Sequence, residues 1–122
     1  MIDVAFENKD YVRITLSGNI EFEDYISMVQ DVIKKQLGIS KTIKTLGIAN
    51  NATLNFTVEN LETITQMRDA GRSLFDDIRQ AFVVRSPRNT AFAVLTTSDM
   101  QSENYHSKIF NTEESAIKWL LS

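Results

Sequence analysis

Two spacings of apolar residues alternate along the chain. Ile2, Val4 and Phe6 alternate with Asp3 and Glu7, and Val12, Ile14 and Leu16 alternate with Arg13, Thr15 and Ser17. A period of two predicts a pair of half-buried strands. The turn-prone Asn8-Lys9-Asp10 between them makes the pair an antiparallel hairpin. From Phe22 the spacing lengthens to Tyr25, Ile26, Val29, Val32, Ile33 and Leu37, which is one face of an α-helix. Glu21, Glu23 and Asp24 stand at its start, Lys34 and Lys35 near its end and Gly38 just beyond. That order of charge suits the helix dipole, and the glycine suits a C-terminal cap.

Ile43 to Ala49 is a β-compatible run that Asn50-Asn51-Ala52-Thr53 interrupts, so it reads as a third strand feeding a polar loop. Thr57 caps a second helix with apolar positions Val58, Leu61, Ile64, Met67, Gly71 and Leu74. Gly71 costs about 1 kcal/mol against alanine there, and close approach of a neighbouring element accounts for it. After Asp76-Asp77, the unbroken Ala81-Phe82-Val83-Val84 suits a central parallel strand covered on both faces. Ala91 to Thr97 fits either a helix or a strand. Tyr105 to Phe110 reads as the last strand, and Thr112 to Leu121 as a helix with Ala116, Ile117, Trp119 and Leu120 on its apolar side. No repeat or linker divides the chain. It is read as a single domain, 1–122, of the α/β class with a mixed sheet of about five strands.

Composition narrows the function. With 122 residues, 43% apolar and 24% charged, the chain can bury a full core. It contains no cysteine, which excludes a disulfide scaffold, a thiolate metal site and a cysteine nucleophile, and fits a reducing cytoplasm. The N-terminus carries acids where a signal peptide carries bases, and no apolar run is of membrane-spanning length. A soluble, cytoplasmic protein without an integral membrane segment is expected, so the glycosylation-type triplets at Asn51 and Asn55 carry no weight. A net charge of −3 with mixed signs offers no basic stripe for nucleic acid.

Two stretches, "AFVVRSPRNTAF" and "KIFNTEESAIKWLL", then carry a resemblance. A strand ending in valines, a Ser-Pro helix start and a tail of Phe110, Thr112, Glu113, Glu114, Ala116, Trp119 and Leu120 resemble the SpoIIAA-like, or STAS/Sec14-like, domains of bacteria. The resemblance implies a STAS-like sheet with an N-terminal antiparallel hairpin and about four helices, and makes Ser86 to roughly Met100 a helix. In STAS antagonists a hydroxyl after the third strand is a phosphorylation switch in an Asp-Ser-Ser-Gly-like turn. This chain has "NNATLNFTVENL" there, without the aspartate or glycine, and Thr53 and Thr57 are its nearest hydroxyls. Many members have no assigned activity, so the resemblance implies no reaction.

Catalytic and cofactor chemistry finds little footing. His106 is the only histidine and reads as an ordinary strand residue; Glu113 and Glu114 suit a helix first turn, and Trp119 reads as a core or contact anchor. The four glycines stand singly, so no phosphate-cradling loop is present, and Asp69, Asp76 and Asp77 match no calcium loop. Neither an enzyme nor a cofactor is expected. The candidate surface is the polar segment with Asn50, Asn51, Thr53 and Thr57, together with Arg85, Ser86, Arg88 and Phe92. Ser86 is a good N-cap, Pro87 fits the first helical position, and the arginines add positive charge where a helix start favours anions. Both segments follow strands, at the sheet edge where α/β proteins bind ligands.

The expected function is a non-enzymatic STAS-like regulatory or protein-interaction module, binding a protein partner or itself. The alternative is a carrier or sensor of a small apolar, lipid-like or anionic ligand, motivated by Ala91-Phe92-Ala93-Val94-Leu95, apolar on most sides.

Overall fold

The structure, a computed structural model, describes residues 1–6, 10–97 and 102–122. Its elements run β1 (Ile2–Ala5), β2 (Val12–Glu21), α1 (Phe22–Leu37), β3 (Thr42–Asn55), α2 (Val58–Arg72), β4 (Asp77–Val83), α3 (Pro87–Thr97), β5 (Tyr105–Phe110) and α4 (Glu113–Leu120). The five strands form one sheet in the order β1-β2-β3-β4-β5, with β1 antiparallel to β2 and the other pairs parallel. The expected hairpin and mixed sheet are both present. The turn residues Asn8 and Lys9 lie outside the described residues, as does the predicted extension of α3 to Met100.

Each parallel strand follows its neighbour in the chain, and crossovers of one hand in one direction keep their helices on one face. Helices α1, α2 and α3 share that face. There Val12, Met28, Val32, Ile43, Phe75, Ile78 and Tyr105 form one buried cluster, and Leu16, Ile20, Ala49, Leu54, Phe56, Ile64 and Val84 a second. Helix α4 covers the opposite face, where Leu46, Ile48, Ala81, Val83, Ala116 and Leu120 pack together. The central strands are therefore apolar on both sides, as the unbroken run at 81–84 requires.

One expectation needs correction. Asn50 to Asn55 is not a loop: it continues β3, with Asn51, Ala52, Thr53, Leu54 and Asn55 opposite Ser17, Gly18, Asn19, Ile20 and Glu21. Between the Thr15–Ile48 and Ser17–Asn51 pairs, β3 holds one residue more than β2, a bulge at Ala49-Asn50. The extra residue changes which positions face the helices, from Ala49 before it to Ala52 and Leu54 after it. Opposite the bulged stretch, Gly18 has φ +70°, a left-handed backbone that glycine adopts without strain.

Among the described residues no helix is long and apolar enough to cross a membrane.

Candidate functional site

Helix α2 turns Leu61, Ile64, Arg68 and Gly71, spaced three, four and three residues apart, toward the interior. Three of these are apolar or small, and the fourth is a guanidinium. Two cavities lie beneath it. The first, about 70 Å³, is bounded by Leu16, Gly47, Phe56, Phe82 and Phe92; the second, also about 70 Å³, by Met28, Val32, Ile43, Phe75 and Tyr105. Ile14 and Arg68 line both. Gly47 keeps the floor of the first cavity open: a Cβ there would stand 3.6 Å from the Phe82 ring, an ordinary contact, while a larger side chain would fill the space.

Arg68 connects the three helices. Its Nη1 donates to Thr96 Oγ1 on α3, its Nη2 donates to Tyr25 Oη on α1 at 3.0 Å, and the guanidinium lies 5.2 Å from the centre of the Phe82 ring. Thr96 can accept because its own proton goes to the Phe92 carbonyl at 2.9 Å. Arg68 forms no ion pair with any described residue. Its partners are two hydroxyls and a ring face, so the charge is solvated locally and has no neutralising partner among the described residues.

In the second cavity, the Tyr105 hydroxyl donates to Gln80 Oε1 at 2.6 Å. Tyr105 is only 1% exposed, and burial pushes its phenol up to about 12, opposed by the positive charge of Arg68. The phenol is a fixed neutral donor at physiological pH.

Aromatic rings close the first cavity at the carboxyl ends of the strands. Phe56 packs against Tyr25 at 5.3 Å, Phe92 at 6.0 Å and Phe22 at 6.1 Å between centroids. Beside them the sequence candidates take their places. Ser86 caps α3, accepting from Asn89 N at 3.1 Å, and Thr57 caps α2 in a reciprocal box with Asn60. Arg88 donates to the Leu54 carbonyl and lies over Phe92, and Arg85 donates to the Asn111 carbonyl. Asn51 and Thr53 are exposed on β3, while Asn50 sits in the bulge with its Oδ1 buried and unpartnered. Of these candidates only Phe92 lines the chamber.

Residues outside the expected set carry the site: Arg68, Tyr25, Thr96 and Asn89. Asn89, 3% exposed, donates from Nδ2 to the carbonyls of Ala49 and Ala52, at 2.9 and 3.0 Å, and so clamps the bulge against α3. Half-buried Arg68 and buried Asn89 both had a signal in the sequence, because each falls in the inward phase of its helix.

The other polar candidates have structural partners. Glu113 pairs with Arg13 at 2.5 Å, Asp69 with Arg72 at 3.0 Å, and His106 Nε2 meets the Glu103 carbonyl at 3.1 Å. Among the described residues no group of acids and histidine could hold a metal ion. A wider cleft of about 480 Å³ runs between β1 and α1, but Asp24, Ser27, Asp31 and Lys35 on its rim are exposed to water. It has the character of a solvated groove.

No protein-family model matches the chain, and no curated protein matches it. Its structure is similar to the crystal structure of an uncharacterized protein of the DUF3478 family from Shewanella loihica PV-4, with a TM-score of 0.67 at 16% identity. The alignment covers 98% of this chain and 92% of that one, and that protein is described as having a SpoIIAA-like fold. The resemblance carried by the Ser-Pro helix start and the Trp-Leu tail thus extends to the whole architecture: this chain has a SpoIIAA-like fold.

Proposed function

We propose that this chain is a non-enzymatic binding module, a carrier or sensor whose small ligand occupies the apolar chamber between the sheet and helices α1 to α3. One observation carries the reading: two largely apolar cavities adjoin on this face, and the charged side chain lining both is one that packing alone does not call for. A protein core is ordinarily filled to crystal-like density, and two adjoining apolar voids with convergent polar groups depart from it. The chamber also opens the route from ligand to regulation, because Arg68 ties together three helices that otherwise meet mainly through apolar contacts.

A panel of small amphiphiles tests this by thermal shift. Stabilisation of the wild type that is absent in Gly47→Val, whose new side chain fills the floor, is the expected result. An unmoved melting temperature across the panel, with no co-purifying small molecule in native mass spectrometry, would sink the reading.

A second reading, a module that binds a protein partner or itself, draws support from α3. Ala91, Val94 and Leu95 form an outward stripe, Leu95 being 62% and Val94 45% exposed. Light scattering that shows a dimer in the wild type and a monomer in Leu95→Asp would favour it.

A further inference from the structure

We infer that the ligand of this chamber is a small monocarboxylate with an apolar body of about six carbon atoms, its carboxylate held by Arg68 and Tyr25. The inference rests on the chamber reading above and names the ligand class.

The charge requirement comes from Arg68. The Arg68 guanidinium is half-buried on the wall of two largely apolar cavities, so it gives up part of its solvation, which hydroxyls restore incompletely. A leucine or methionine at this position would pack α2 against Phe82 without that cost. The fork has more N–H groups than the two hydroxyls use. Both cavities include Arg68 in their walls. The anion that would neutralise it has no counterpart among the described residues.

Tyr25 supplies a second, independent indication. Its oxygen accepts from Arg68, so its phenolic proton points elsewhere, and it has no acceptor among the described residues. Arg68 Nη2 and Tyr25 Oη, 3.0 Å apart through their own hydrogen bond, each keep a further hydrogen to donate. Two oxygens of one carboxylate accept such a pair, and charge-assisted bonds of this kind are the strong ones. A phosphate dianion would bring twice the charge against a single cation in apolar surroundings, so a monoanion fits better.

Volume sets the size. Each cavity holds about 70 Å³, so a six-carbon body needs the two to merge across their shared wall of Ile14 and Arg68, giving a space near the engineered cavity of about 150 Å³ that admits benzene. Pockets for drug-sized molecules start at about 300 Å³, so a long acyl chain does not fit and a short one does. The lining of Leu16, Phe56, Phe82 and Phe92 suits an aliphatic or aromatic body.

Calorimetric titration of hexanoate and hexan-1-ol into the wild type, Arg68→Gln, Tyr25→Phe and Gly47→Val decides the matter. Hexanoate should bind the wild type at least about ten-fold more tightly than hexanol. Arg68→Gln should bring hexanoate down to the level of the alcohol. Tyr25→Phe, which keeps the ring and its packing, should weaken hexanoate several-fold and leave hexanol alone, so the inference is testable even if Arg68→Gln does not fold. Equal binding of acid and alcohol, insensitive to both variants but lost in Gly47→Val, would overturn the carboxylate and leave the chamber standing. Failure of both probes to bind the wild type would overturn the chamber reading itself.

Discussion

The two faces of the sheet are built from similar residues to different ends. Under α4, Leu46, Ala81, Val83, Ala116 and Leu120 are all 0% exposed and pack without an ionisable group among them. Under α1 to α3 the sheet meets two cavities, a cation and a buried phenol. The first face is fully buried and apolar at its centre, and the second is left open around polar groups. Close packing is thus achievable on this sheet, and the openness of the other face is a property of the residues placed there rather than of the fold.

The sharpest break of this contrast comes on the packed face. Leu120→Ala should destabilise by about 2–5 kcal/mol, since neighbours on a filled face cannot collapse into the hole. Denaturant unfolding would check it, and a loss under about 1 kcal/mol would mean that this face is looser than its burial implies.

Alkaline titration probes the open face next. The Tyr105 phenol is raised in the folded chain, so the folded state holds its proton more tightly than the unfolded state does. Its contribution is fully present below about pH 10 and is lost as pH rises to about 12, a drop of roughly 2–3 kcal/mol. Melting curves of the wild type and Tyr105→Phe across that window should converge. Parallel curves would show that burial does not hold the phenol neutral.

A smaller effect of opposite sign is expected at Arg68. Arg68→Met removes a half-buried charge with no ion-pair partner among the described residues and extends apolar packing toward Phe82, so stability should stay level or rise by up to about 1 kcal/mol. A clear loss in chemical denaturation would mean that the bonds to Tyr25 and Thr96 outweigh desolvation. The gentlest change is Ser86→Ala, which removes the cap on α3 and should cost about 1 kcal/mol. Urea midpoints would resolve it, and an unchanged midpoint would assign the helix start to Pro87 alone.

Much of this architecture is legible in the sequence, and the exceptions have physical causes. β2 and α1 can be read directly, because one strand face and one helix stripe are each steadily apolar. β5 falls at the predicted residues, and α4 within a residue of them at each end. The tail of β3 misleads, because the bulge at Ala49-Asn50 changes the phase of alternation and leaves a string of asparagines that resembles a turn. Partners decide its structure: Ser17 to Glu21 offer a ladder that local propensity does not reveal. The site was legible only at its rim. Phe92 lines the first cavity and stands among the sequence candidates, whereas Arg68 does not, because a charged residue in a helix is ordinarily assigned to the solvated side. Its spacing from Leu61 and Ile64 was the available clue. Asn89 was hidden in the same way behind the Ser-Pro pair, although it lies one turn from Ser86 and points inward.

The strand order has a bearing on how the chain reaches this structure. Every strand pairs with the next one in sequence, from β1 to β5, so no strand is inserted between two that are already joined. Assembly from either end closes one crossover at a time, keeping loop-closure entropy small at each step and contact order low for a parallel sheet. A chain leaving the ribosome can add each strand to a growing edge, and the helices that form the chamber are laid down in order as it does so. In chain order the first cavity has its last wall in α3 and the second in β5, after β1 to β4 and the first two helices.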